Sequence, residues 1–171
     1  MKAYALPLLA LAVAAPAQAG EVFGGLYVHD VDTFLTKSGI ESGLDVQLGY
    51  RGDSLMGKSG PQPYVHVNAN SAGNTHFAVA GLGFKFGEAI YVRPALGLAI
   101  HTGSAKKFDD PTNDKIEFGG RILFAPELGV GARVSDRASI EASWVHLSHA
   151  TVFSRQNPGM DNFGVRLNWK L

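Results

Sequence analysis

Near the C-terminus, the stretch Trp144-Val145-His146-Leu147-Ser148-His149-Ala150 sets a histidine and a serine two residues apart. An imidazole and a hydroxyl can work as base and nucleophile when a carboxylate orients the ring. In a β-strand alternate residues share a face, so His146 and Ser148 point the same way. Ile140, Ala142 and Trp144 share their face; Ser139, Glu141, Ser143, Val145 and Leu147 occupy the other. Asp161 supplies a carboxylate, in phase with Phe163 and Val165 at the start of a later alternating stretch. One antiparallel register sets Asp161 opposite Ser148, and another sets it opposite His146. Cross-strand neighbours are about 5 Å apart at Cβ, so either register brings the carboxylate to the imidazole. The chemistry expected of this set is acyl transfer. Ser148 attacks an ester carbonyl, His146 takes the proton and returns it to the leaving alcohol, and Asp161 fixes the ring tautomer. Candidate donors to the oxyanion are the backbone N–H groups after Ser148 and the side chain of His149.

Such a set needs strands to hold it, and the chain supplies them. Eight alternating segments cover 21–30, 43–51, 61–70, 75–87, 89–101, 118–134, 137–150 and 161–171. A tilted strand crosses a bilayer in ~9–11 residues, which is near their length. Leu44, Val46, Leu48 and Tyr50 line one face of the second segment; Ile90, Val92, Pro94, Leu96, Leu98 and Ile100 line one face of the fifth. The opposite faces carry Asp45, Arg93, Arg121, Glu127, Arg133, Glu141 and Arg166. A water-soluble barrel would bury the apolar face. Apolar rows facing outward, with charges inside, suit lipid instead. With no water in the hydrocarbon core, unpaired strand edges cost too much, and the sheet must close. The expected fold is all-β, an eight-stranded antiparallel transmembrane β-barrel of the bacterial outer membrane. Tyr50, Phe86 and Trp169 are placed for an interfacial aromatic girdle.

Export is written at the N-terminus. Lys2, an apolar run over 6–15 and Ala17-Gln18-Ala19 form a signal peptide over 1–19, leaving a barrel domain at 20–171. Loss of Lys2 takes the 15 basic residues to 14 against 15 acidic ones, a formal charge of −1 that offers nothing to nucleic acid. There is no cysteine, so an exported domain of this size is held by core packing or by closed pairing of strands rather than by disulfides.

An even strand number puts both termini in the periplasm and the connections 30–41, 71–74, 102–117 and 151–160 outside. The segment 52–60 is long for a periplasmic turn. His146, Ser148 and Asp161 then lie near the outer end of the wall, on its lipid face. What lies there is the outer leaflet, so the expected substrate is a lipid ester and the expected location is the outer membrane. This chemistry needs no cofactor. His29, His66, His76 and His101 lack metal-ligand spacing, and no metal is expected. The rivals are a non-catalytic structural or adhesin barrel and a soluble exported barrel for an apolar ligand. The oligomeric state stays open, a homodimer included.

His146-Leu147-Ser148, followed by Asn157-Pro158-Gly159-Met160-Asp161 and a final strand, resembles the C-terminal signature of the outer-membrane lipid A 3-O-deacylases, the PagL or acyloxyacyl-hydrolase family. The likeness covers the mature chain in layout, with its specific part over 144–169. It implies an eight-stranded barrel that hydrolyses the ester-linked 3-hydroxyacyl chain of lipid A or a related outer-leaflet glycolipid. It makes His146 the base, Ser148 the nucleophile and Asp161 the acid. Two positions differ from the family pattern. His149 stands where an oxyanion-binding Asn is usual, and Asp161 where Glu is common.

Overall fold

Strict two-residue alternation leaves each backbone only one way to satisfy its N–H and C=O groups away from water, which is pairing with neighbours on both sides. The computed structural model, which describes residues 20–36, 39–57, 60–106, 112, 114–150, 152 and 157–171, shows that pairing carried through to closure. The expected signal peptide over 1–19 lies outside the described residues. The strands are β1 (Glu21–Val28), β2 (Leu44–Arg51), β3 (Gln62–Asn70), β4 (Phe77–Gly83), β5 (Phe86–Gly87), β6 (Ile90–His101), β7 (Ile122–Arg133), β8 (Ala138–Leu147) and β9 (Met160–Lys170). All ladders are antiparallel; β9 joins β1, and β4 joins β6 to close the ring.

The fourth segment is interrupted. β4 and β5 face β6 in one continuous register, Gly83↔Ala95 and then Phe86↔Val92, so they form one wall broken at Phe84-Lys85. The closed barrel therefore has eight walls. Gly87 turns the chain into β6 with φ 103°, and a Cβ there would lie 2.3 Å from the Ile90 carbonyl oxygen. Only glycine fits that turn.

The outer surface is apolar. Leu48 is 64% exposed, Ile100 62% and Leu26 59%, with many similar neighbours around the wall. A band of that extent is tolerated by hydrocarbon and not by water. A soluble barrel is excluded on this ground. The lumen holds Arg51, Arg93 and Arg166 with Glu21, Glu127 and Glu141. Arg166 Nε lies 2.6 Å from Glu141 and its Nη1 3.3 Å from Glu127, while Arg93 reaches Glu21 at 3.1 Å and Glu141 at 3.4 Å. Arg51 pairs with Glu21, and His66 meets Glu127 at 2.9 Å. Buried charges survive only in such company.

Arg121 and Arg133 depart from the interior placement expected of them. Both are exposed, Arg133 as the last residue of β7 and Arg121 just before its first. Arg121 Nη1 donates to the carbonyl oxygens of His101 and Gly103. Arg133 is still paired with Ser139, but on the last rung of the ladder, so at the strand ends an inward phase no longer secures burial.

One end of the barrel carries the connections after β1, β3, β6 and β8, of which the one after β3 is short. Beneath them Phe77, Ile116, Phe118, Leu123, Leu147 and Met160 pack as an apolar plug. Above the plug, His29 lies between two carboxylates. Its Nδ1 is 2.9 Å from Asp45 and its Nε2 3.1 Å from Glu41. Glu41 also accepts from the Thr75 N–H and hydroxyl and from the Ile116 N–H. Three loops are thus tied together at one side chain.

Candidate active site

The β8–β9 ladder pairs His146 with Asp161 and Leu147 with Met160, so the second of the two expected registers is the one adopted. His146 Nδ1 lies 2.8 Å from Asp161 Oδ1. The Trp144 indole N–H donates to the same oxygen at 2.7 Å. The Thr33 hydroxyl donates to Asp161 Oδ2. Asp161 sits on the outer face yet is fully buried, because these three partners cover it. The His146 side chain keeps 12% of its surface open, enough to be met from outside the wall. Trp144 stacks on Phe163 at 6.5 Å between ring centroids and stands 5.9 Å from the imidazole.

The neighbouring wall explains the local shape. Pairing between β7 and β8 runs as far as Glu127↔Val145, which puts Pro126 opposite His146. Proline has no N–H to give to the ladder, so the strands lose that bond beside the imidazole. Pairing resumes once, at Phe124↔Ser148, through Phe124 N–H to the Ser148 carbonyl at 2.7 Å and Ser148 N–H to the Phe124 carbonyl at 3.1 Å. Phe124 lies in phase with outward-facing Ile122 and Leu128, and directly opposed residues share a face, so Ser148 belongs to the outer face with His146.

Beyond Ser148 the chain leaves the wall. Ala150 takes φ 50°, a sparsely populated conformation for a residue with a Cβ. The His149 N–H donates to Asn157 Oδ1 at 3.1 Å, and the Val152 N–H to the His149 carbonyl at 2.9 Å. Gly159 has φ 66°, and a Cβ there would lie 3.2 Å from both His146 Cε1 and Thr36 Cγ2. The Asn157-Pro158-Gly159 bend therefore lies against the imidazole and returns the chain to β9.

Of the residues expected from the sequence, His146 and Asp161 are in hydrogen-bond contact. Ser148 is close by on the same face, though among the described residues no hydrogen bond joins its hydroxyl to the imidazole. His149 is fully buried, and its backbone N–H, one of the expected oxyanion donors, is committed to Asn157. Sequence reasoning gave no role to Trp144 or Thr33. Trp144 carried a signal, since it shares the face of His146 two residues away. Thr33 carried none, lying in a polar connection without periodicity. Among the described residues no three His, Asp or Glu side chains converge as metal ligands.

The model of one protein family, described as lipid A 3-O-deacylase (PagL), matches residues 35–170. The chain belongs to the PagL family. Among solved structures, the outer membrane enzyme PagL matches with TM-score 0.65 at 16% identity, over 88% of this chain and 99% of that one. A structure from the de novo design of transmembrane β-barrels matches with TM-score 0.55 at 12% identity, over 90% and 98%. Ail, an outer membrane protein of Yersinia pestis, matches with TM-score 0.54 at 13% identity, over 90% and 99%. At these identities the structural likenesses establish the outer-membrane barrel fold, and the family match carries the deacylase class. Comparison with curated protein sequences finds no match.

Proposed function

We propose that this PagL-family protein is a serine esterase that removes an ester-linked 3-hydroxyacyl chain from an outer-leaflet glycolipid, lipid A or an analogue of it. The observation that carries this reading is the His146–Asp161 pair, 2.8 Å apart on a lipid-facing wall with Ser148 on the same face. An ionised carboxylate can only accept, so Nδ1 of His146 carries the proton and Nε2 is left with its lone pair. That is the tautomer a general base needs. Ser148 Oγ bonds to the ester carbonyl carbon as its proton passes to His146 Nε2, and the imidazolium is held by Asp161. The proton then goes to the departing sugar oxygen as the carbon–oxygen ester bond breaks. Water repeats the sequence on the acyl-serine and frees the fatty acid. Hydrogen bonds between nucleophile and base commonly tighten only when substrate is bound, which accommodates the free-state separation of Ser148 and His146.

The side chain of His149 is assigned to the oxyanion, its backbone N–H being taken by Asn157. No cofactor takes part. Residues 1–19 direct export, residues 20–171 form the esterase domain, and the loop end faces the cell exterior, where the outer leaflet meets Trp144, His146 and Ser148.

The reading is tested by mass spectrometry of lipid A from outer membranes of cells that express the wild type or Ser148→Ala. The wild type should yield lipid A lighter by one 3-hydroxyacyl chain, and Ser148→Ala should not. Identical profiles would leave a non-catalytic structural barrel.

A further inference from the structure

We infer that Thr33, on the connection after β1, is a positioning residue that locks the Asp161 carboxylate onto His146. The inference rests on the esterase reading above. Asp161 Oδ1 already accepts from His146 Nδ1 and Trp144 Nε1, whereas Oδ2 has Thr33 as its side-chain donor among the described residues. A carboxylate held at one oxygen can swing about its Cβ–Cγ bond. Held at both, it keeps Oδ1 on the imidazole and so keeps the proton on Nδ1.

The direction of the Thr33 bond is set by its surroundings. A hydroxyl has one proton to give. The Leu35 N–H donates to Thr33 Oγ1 at 3.1 Å, occupying the acceptor side of the oxygen. The proton is therefore free to aim at Asp161, which can only accept. Serine would reproduce both bonds. Valine, nearly the same shape, would make neither.

Thr33 is also delivered by a segment that does not depend on it. The Val31 N–H donates to the Asp161 carbonyl at 2.7 Å, and the Asp30 N–H to Asn162 Oδ1 at 2.9 Å. Asp30 Oδ2 accepts from the N–H groups of Gly39, Ile40 and Glu41 at 3.1, 2.8 and 2.8 Å. These bonds fasten both ends of the connection to the wall and to itself. Removing one methyl or one hydroxyl at position 33 leaves them in place. Thr33 lies just before the family-matched residues 35–170.

The test uses the full-length mature barrel in lipid vesicles containing lipid A. Thr33→Val should lower kcat about tenfold, the scale of a lost hydrogen bond to a charged group, with KM nearly unchanged. Thr33→Ser should restore most of it. The low-field proton resonance of His146 Nδ1–H, read in Ser148→Ala protein that turns nothing over, should broaden or vanish with Thr33→Val and persist with Thr33→Ser. Wild-type kcat and an unchanged resonance in Thr33→Val would overturn the inference, as would a Thr33→Ser variant no better than Thr33→Val. If Ser148→Ala itself still deacylates, the esterase reading fails. If Ser148→Ala is dead and Thr33→Val is normal, only the role of Thr33 fails.

Discussion

His146 on β8 and Asp161 on β9 are direct cross-strand partners, their side chains 2.8 Å apart on the face turned to lipid. The pair is placed by a ladder running ten residues along β8, and not by a loop. Strand-borne sites hold their geometry better than loop-borne ones. Replacing Asp161 by Asn should leave that ladder intact and still cost on the order of 10³-fold in kcat, because an amide no longer dictates the tautomer or offsets an imidazolium. Steady-state deacylation checks the loss. Unchanged heat-modifiable gel mobility checks that the barrel has formed.

Trp144 binds Asp161 through its indole N–H at 2.7 Å and stacks on Phe163. Trp144→Phe keeps an aromatic face and removes the donor. The expected result is a folded barrel with kcat down about tenfold, as for other hydrogen bonds to a charged acceptor. Comparing Trp144→Phe with Trp144→Leu separates the contributions: only the second should also lower the unfolding midpoint.

Gly159 lies against the imidazole with φ 66°. An alanine there meets backbone strain of about 1 kcal/mol or more, and its methyl would press on His146 Cε1. Gly159→Ala should lower kcat more than it raises KM, and it should slow the enzyme without dissolving the barrel. A variant kinetically equal to wild type would show that the bend does not touch the working imidazole.

Stability should fall at alkaline pH through His29. Burial opposes its charge, but the hydrogen bonds to Asp45 and Glu41 outweigh that and raise it from the ordinary 6.5 to about 9. The folded protein therefore holds a proton that the unfolded chain has released between those values. The stabilisation is complete below the unfolded value and is lost as pH rises through the folded one. Glu41 acts in the opposite sense. Burial works against its charge too, but bonds from His29, Thr75 and Ile116 hold it below the usual carboxylate range. Its contribution is present above about pH 4.5, the usual glutamate range, and is lost in acid. Urea unfolding in vesicles at pH 6 and pH 10 should show the alkaline decline in wild type, and His29→Asn should flatten it.

Much of the architecture was legible from alternation alone. The outward rows of β2, β6 and β9 are those the sequence spells, since a two-residue period leaves no other solution once one face meets lipid. The break at Phe84-Lys85 was not legible, because the flanking residues stay in phase across it. Arg121 and Arg133 misled because they sit at the ends of β7: Arg121 precedes the first residue of the strand, and Arg133 is on the last rung of the ladder, where an inward phase no longer means burial. At the site, two registers fitted His146 and Asp161 equally well, and only the pairing of the whole β8–β9 hairpin decides between them. Thr33 reaches Asp161 across 128 positions of sequence, and no local pattern encodes such a meeting.

The ionic filling of the lumen has a kinetic consequence. Three arginines and three glutamates pair side to side in the lumen, while His146 opens on the opposite, outer face of the wall, so substrate meets it from the membrane side. Every encounter takes place sideways, by drift of a lipid within the plane of its own monolayer. Turnover should then follow the mole fraction of ester in the surrounding membrane, and dilution of that ester with inert lipid should slow the enzyme even when its amount per millilitre is held constant.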